Sequence, residues 1–278
     1  MRKKTAYFSI LAILLLGISA KIDPAESNKN FDYSLEVMKM QSEFEKNVGF
    51  MVLAENYSEF ILADAAEKIL NIKENNQSQY FVYADRNPEK QIVLVCLFDS
   101  ATKKTAIIGA DKISTGTPER PGYFITPTGV FENSIANPSY RALGTKNQEG
   151  WRGFGVKNSR VWDFGWQETI KKNNEKMEIR LLMHATDPDF GEKRLGEVDS
   201  KGCVRISAKL NKFLDHYGIL DKDYEANKHL KNISWVLAAD REPTALAGKY
   251  LFIGDSRTAA SYPENTENQE LSLKNEKN

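Results

Sequence analysis

One histidine and one cysteine stand at a spacing that allows covalent chemistry. Leu181-Leu182-Met183-His184-Ala185-Thr186 ends an apolar run on one of only three histidines in the chain. Nineteen positions after it, Asp199-Ser200-Lys201-Gly202-Cys203-Val204-Arg205-Ile206 presents one of only two cysteines in a glycine-bearing turn. A thiol at its reference pKa is only ~3% thiolate at pH 7. A nearby imidazole can take the thiol proton as general base and return it later to a leaving group. Glycine beside the nucleophile allows close approach of a substrate and leaves backbone N–H groups to hold an oxyanion. Arg205 has the two-pronged donor geometry that grips a carboxylate. Cys203 and His184 are therefore the candidate catalytic pair, with Ser200, Lys201 and Gly202 in the oxyanion and turn region. Residue types alone leave a plainer alternative open, a buried strand-end histidine with a packing cysteine.

Rigid elements must hold such a pair. Residues 177–183, Met-Glu-Ile-Arg-Leu-Leu-Met, predict the strand that delivers His184. Residues 80–84 and 91–98 are β-branched and aromatic, and Asp85-Arg86-Asn87-Pro88 between them completes a strand–turn–strand signature. Residues 105–110, 235–239 and 250–253 predict further strands, and 210–217 a short helix. Frequent glycine and proline separate these runs, as in Ser114-Thr115-Gly116-Thr117-Pro118 and Thr126-Pro127-Thr128-Gly129, so the domain is expected to be β-rich. Upstream, Val37, Met40, Phe44, Val48 and Met51 mark one helical face, and Ile61, Ala65, Ile69 and Ile72 a second. Asn56-Tyr57-Ser58 offers capping side chains between them, and Asn75-Asn76-Gln77-Ser78 is a polar break. Two helices packed on the main domain follow, an N-terminal helical layer over residues 21–78. Tyr140, Trp151, Trp162, Phe164 and Trp166 gather before the His184 strand. With the loop-like Gly150-Trp151-Arg152-Gly153-Phe154-Gly155 they suggest a flap beside a cleft or, equally, a second apolar cluster under a long loop. Arg141 and Arg152 are read as solvated, with substrate carboxylates as the alternative.

The chain of 278 residues carries 38 basic and 38 acidic side chains, so nothing draws it generally to nucleic acid or to an anionic membrane. Met1-Arg2-Lys3-Lys4 followed by the apolar run 6–20 reads as a signal peptide over residues 1–20, too short to span a bilayer as a helix. No membrane span is expected after cleavage, and an exported location follows, in the periplasm or cell envelope. Residues 255–278 are polar and read as a disordered tail. Cys96, inside an apolar run, reads as a buried small side chain; a disulfide to Cys203 would block the nucleophile. A zinc site from His184, Cys203 and a later histidine has no recognised spacing. No metal and no cofactor is expected.

His184, fifteen intervening residues, then Ser200-Lys201-Gly202-Cys203-Val204-Arg205 resembles the signature of the L,D-transpeptidase catalytic domain, the YkuD-like family. Gln91-Ile92-Val93-Leu94-Val95, Ser114-Thr115-Gly116, Thr126-Pro127-Thr128-Gly129-Val130-Phe131 and His184-Ala185-Thr186 are similar to further stretches of that family. The histidine the family usually carries before Gly-Cys is Lys201 here. Lysine keeps a donor and adds positive charge, which would lower the thiol pKa, but it cannot accept a proton as neutral imidazole does. The resemblance implies a sandwich-like, mainly β (β-rich α+β) catalytic domain over residues 79–254. It implies a thiol nucleophile at Cys203, His184 as its base and acid, and substrate contacts from Arg205 and Thr186. It also implies peptidoglycan stem peptides as substrate, release of D-alanine, a thioester, and transfer to an amine (a 3→3 cross-link) or to water. Carbapenem-type compounds are the inhibitors it implies. Two rivals remain at this point. A papain-like wall peptidase would pair Cys203 with His216 or His229, and a catalytically inactive wall-binding module is conceivable because of Lys201.

Overall fold

Periodicity in the chain resolves into two sheets and a helical cover. In a computed structural model, residues 32–73 and 77–257 are described. The expected signal peptide at 1–20, the segment 21–31, residues 74–76 of the polar break and the tail from 258 lie outside the described residues. The described residues from Ser34 to Arg257 belong to one compact unit.

Helix α1 (Tyr33–Asn47) turns Met40 and Phe44, four residues apart, inward. Helix α2 (Glu55–Leu70) buries Tyr57, Ile61, Ala65 and Ile69, the four-residue step of a single face. That face covers a five-stranded mixed sheet. Its order is β3 (Thr105–Lys112), β2 (Ile92–Phe98), β1 (Gln79–Asp85), β9 (Tyr250–Gly254) and β4 (Gly129–Glu132). Phe81, Tyr83, Leu94, Cys96, Phe98 and Phe252 meet α2 in one apolar cluster. Strands β1 and β2 are buried on both faces, which is why they read as unbroken apolar runs rather than alternating ones. The second sheet has four strands, in the order β5 (Tyr140–Arg141), β6 (Arg160–Ile170), β7 (Lys176–Ala185) and β8 (Val204–Ile206). Helix α3 (Ala208–His216), capped by Ser207 Oγ accepting from the Leu210 N–H, packs on β6 and β7. Phe44 of α1 sits on the bare backbone of Gly109 in β3 and meets Phe213 of α3 edge-on at 5.1 Å, joining three elements. The domain is thus a mainly β, sandwich-like α+β fold with an N-terminal helical layer.

Several expectations need correction. Residues 235–239 are not a strand. They follow the short helices α4 (Lys222–Ala226) and α5 (Lys231–Ser234), and Val236 and Leu237 bury against Tyr224 and Ile233. Asn56-Tyr57-Ser58 lies inside the first turn of α2 rather than between helices, and Val48 and Met51 fall beyond the end of α1, on either side of Gly49 at φ 134°. Of the aromatic residues before β7, Trp162, Phe164 and Trp166 belong to β6, the longest strand among the described residues, and Trp162 and Phe164 are buried in it, whereas Tyr140 lies in β5 and Trp151 in a loop. The ordered chain also runs past 254. Asp255 pairs with Arg86 at 3.1 Å, and Ser256 Oγ accepts from Asn87 Nδ2 at 2.7 Å.

Candidate active site

Sheet register brings the histidine and the cysteine together. β7 and β8 pair in parallel, with Met183 opposite Val204 and His184 opposite Arg205. Cys203 therefore stands beside Leu182, two residues from His184 on the same face. Inter-strand spacing and the rise of two residues put their Cα atoms about 8 Å apart, within joint reach of an imidazole and a thiol. Cys203 packs with Tyr140, Ala142, Val161 and Leu182, and Val161 of β6 pairs directly with His184. The Phe154 ring stands edge-on to the His184 ring at 4.7 Å.

The imidazole is 3% exposed, and burial holds its pKa at about 4, so it is neutral at pH 7. Its Nδ1 lies 2.8 Å from the Ala185 carbonyl oxygen. A carbonyl only accepts, so Nδ1 carries the proton and Nε2 holds the lone pair of a base. Burial also pushes the half-buried Cys203 thiol above its ordinary value, while the Leu182 backbone N–H and the Arg205 guanidinium pull the other way. The resting pair is a neutral thiol beside a neutral imidazole. Lys201 is not among the groups acting on the thiol: it is exposed, and its ammonium lies 5.6 Å over the Tyr123 ring. The thiol-lowering role expected of Lys201 belongs to Arg205.

The turn before Cys203 is tied on every side. Gly202 has φ 121°, a left-handed conformation suited to glycine, and a Cβ there would come 2.7 Å from Ile179 Cδ1. Ser200 Oγ donates to the Cys203 carbonyl at 2.6 Å and accepts from the Gly202 N–H at 3.0 Å. Ser200 is a turn residue, and the Gly202 N–H is engaged by it, which corrects the oxyanion role expected of Gly202. Thr126 Oγ1 donates to the Gly202 carbonyl at 2.9 Å and accepts from the Gly116 N–H at 2.7 Å. Ser114 exchanges backbone hydrogen bonds with Arg205 across the outer edge of β8, and the Ser200 N–H donates to the Thr115 carbonyl. Gln91, at φ 46°, accepts from the Thr115 N–H at 2.7 Å and Oγ1 at 3.0 Å. The Ser-Thr-Gly and Thr-Pro stretches singled out in the sequence thus build the scaffold of the cysteine turn.

The other expected residues divide. Thr186 is buried, with its Oγ1 against Gly191 and its N–H bonded to the Ile206 carbonyl. Arg205 keeps a half-buried guanidinium near the pair but contacts Asp199 at 3.4 Å. Arg141 is bound bidentately by Asp215, and Arg152 by Asp187 and Asp189, so neither is a solvated side chain. His216 ends α3 edge-on to Tyr217 and His229 is exposed. Cys96 is fully buried and, like Cys203, a free thiol. Sequence reasoning missed Phe154 as a neighbour of the imidazole, and it missed the Arg180–Asp163 pair (2.7 Å), whose carboxylate charge raises the Cys203 pKa. The one available signal was Gly155, where a Cβ would come 2.7 Å from Ala185 Cβ and keep the loop off the end of β7. Among the described residues no three His, Cys, Asp or Glu side chains are grouped to hold a metal ion, and no helix is long and apolar enough to cross a membrane.

No protein family matches the chain, and no curated protein does. Among solved structures, it aligns with a point mutant of the helical cell shape determining protein Pgp2 from Campylobacter jejuni. The alignment has 15% identity and a TM-score of 0.32, over 73% of this chain and 57% of that one. The chain thus spans little more than half of that protein, and a likeness at this level bears on neither mechanism nor substrate.

Proposed function

We propose that the protein is an exported, cysteine-dependent L,D-transpeptidase acting on peptidoglycan stem peptides. The observation that carries the proposal is the pairing of β7 with β8, which sets Cys203 and His184 on one face with Cα atoms about 8 Å apart, while the Ala185 carbonyl holds the proton on His184 Nδ1. Substrate binding excludes water, and His184 Nε2 then takes the Sγ proton as the sulfur attacks the carbonyl between the diamino acid and the terminal D-alanine. The oxyanion needs a donor. In this turn the candidate is the N–H of Cys203 itself, which precedes the first ladder pair, Met183–Val204. The imidazolium returns its proton to the departing D-alanine amine, leaving a thioester. An amine of a second stem, or water, attacks the thioester carbon, loses its proton to His184, and frees the thiol. No metal or organic cofactor takes part in these steps. The motif resemblance and the basic, apolar start of the chain support this chemistry and an envelope location.

Incubation of the folded protein with a disaccharide-tetrapeptide, followed by product mass analysis, tests the proposal. Tripeptide means hydrolysis, and dimers mean cross-linking. A carbapenem should add its mass to wild type and not to Cys203→Ala. No product and no adduct would leave an inactive wall-binding module. Activity lost in His229→Ala but kept in His184→Ala would favour the papain-like order.

A further inference from the structure

Three guanidinium groups converge on one carboxylate beside the candidate nucleophile. Arg120 Nη1 lies 2.9 Å from Asp199 Oδ1, while Arg194 Nη1 and Arg205 Nη1 lie 2.8 and 3.4 Å from Oδ2. The Asp199 side chain is 7% exposed, against 55% for Arg120 and 41% for Arg194. One carboxylate neutralises one cation, so two positive charges remain uncompensated within the cluster. Lys201 adds a third over the Tyr123 ring, on which Arg120 also lies at 5.4 Å. Arg194 stacks on Trp151 at 4.6 Å. The two acidic side chains closest in sequence to Arg120 and Arg194 are engaged elsewhere, Glu119 with Lys172 and Glu192 with the Ala208 N–H. Rings and a shared anchor hold the arginine heads in place; Arg120 also hydrogen-bonds Tyr123, and each guanidinium has five N–H donors, more than these contacts use. This is a pre-formed anion site, and it adjoins the catalytic pair: Arg205 faces His184 across the strands and follows Cys203 by two residues, about 6.6 Å along the chain.

We infer that Arg120, Arg194 and Arg205 form the subsite for the C-terminal carboxylate of the donor peptide, carried by the D-alanine that leaves. The inference rests on the reading of Cys203 as an acyl-transfer nucleophile and deepens it. In a peptide that ends one residue past the cleaved bond, the terminal carboxyl carbon is three bonds from the carbonyl carbon under attack, within roughly 4 Å. Other carboxylates of the stem lie further along the chain.

Binding to Cys203→Ala and turnover by wild type test this with two probes, the disaccharide-tetrapeptide and its C-terminal amide. The free acid should bind Cys203→Ala roughly 10- to 100-fold more tightly than the amide, the range expected for charge-assisted hydrogen bonds. Wild-type kcat/KM should show the same preference. Adding Arg120→Gln and Arg194→Gln should erase the difference by weakening the acid alone. Arg120→Gln by itself, on an exposed side chain, should halve the logarithm of the preference and serves if the double substitution fails to fold. Equal affinity for acid and amide, no binding of either, or a preference that survives the substitutions overturns the inference. So does a preference abolished by amidating the side-chain carboxylates instead. Discrimination in binding with no tripeptide from folded wild type would sink the acyl-transfer reading and leave the subsite standing.

Discussion

Replacing His184 by glutamine should flatten the acid side of the stability curve. The imidazole is buried, and its pKa of about 4 in the folded protein compares with an ordinary 6.5. As pH falls below 6.5 the unfolded chain takes up a proton that the folded chain refuses until about pH 4. The folded state therefore loses stability through that window. The contribution is present in full above pH 6.5 and gone below about 4. The whole gap is worth about 3 kcal/mol, of which about 2 kcal/mol is lost by pH 5. Glutamine does not titrate, and its amide can still donate to the Ala185 carbonyl. Urea unfolding of both proteins at pH 7, 6 and 5 checks this, the readout being how the stability difference between them changes with pH. Any constant cost of the substitution cancels. Wild type should lose about 2 kcal/mol more than the variant between pH 7 and 5. Parallel curves would mean that the imidazole is not buried and neutral. A variant that loses more than wild type would mean that the fold stabilises an imidazolium, as in a preformed ion pair with the thiolate. Either result removes the general-base reading.

A neutral resting pair also sets the rate profile. Carbapenem acylation should stay flat from about pH 5.5 to 8, and a rate halved on acidification through pH 6.5 would refute it. Gly116→Ala puts a Cβ 2.6 Å from Gly202 Cα and 2.7 Å from Gly202 N, so the cysteine turn must move. Acylation should fall about 10- to 100-fold while the circular dichroism spectrum stays native; an unchanged rate would show that the turn yields freely. Asp221→Ala strands the fully buried Arg160, which holds Asp221 at 2.9 Å. Denaturant unfolding should register a loss of about 3–5 kcal/mol, and a loss below about 1 would mean that water reaches the guanidinium.

The sequence made some layers of this molecule plain. β1, β2, β3, β7, β9 and α3 were legible because each buries a continuous or singly periodic apolar run. β6 was not, because a register shift between Asp163 and Trp166, with Gly165 at φ 77°, breaks the alternation that marks a strand. The run 235–239 misled for the opposite reason: short apolar stretches bury equally well in turns, and periodicity over five residues does not separate the cases. At the site, spacing singled out His184 and Cys203, since a strand end and a glycine turn leave local marks. The convergence of Arg120 and Arg194 on Asp199 left none, because Arg120 lies 79 positions away in sequence. Side-chain roles within the turn were equally hidden. Whether Ser200 shapes the turn or touches substrate depends on where its hydroxyl points, which residue type does not state.

The exchange of hydrogen bonds between Ser114 and Arg205 has a consequence for how a peptide can dock. β8 ends its sheet, and an open strand there would invite an incoming chain to add itself as a further strand. The segment that continues from β3 occupies that flank, so ligand main chain is refused beside the thiol. Recognition must then run through end groups and side-chain charges, a mode that suits the proposed stem-peptide substrate, whose D-configured residues fit poorly into a regular ladder.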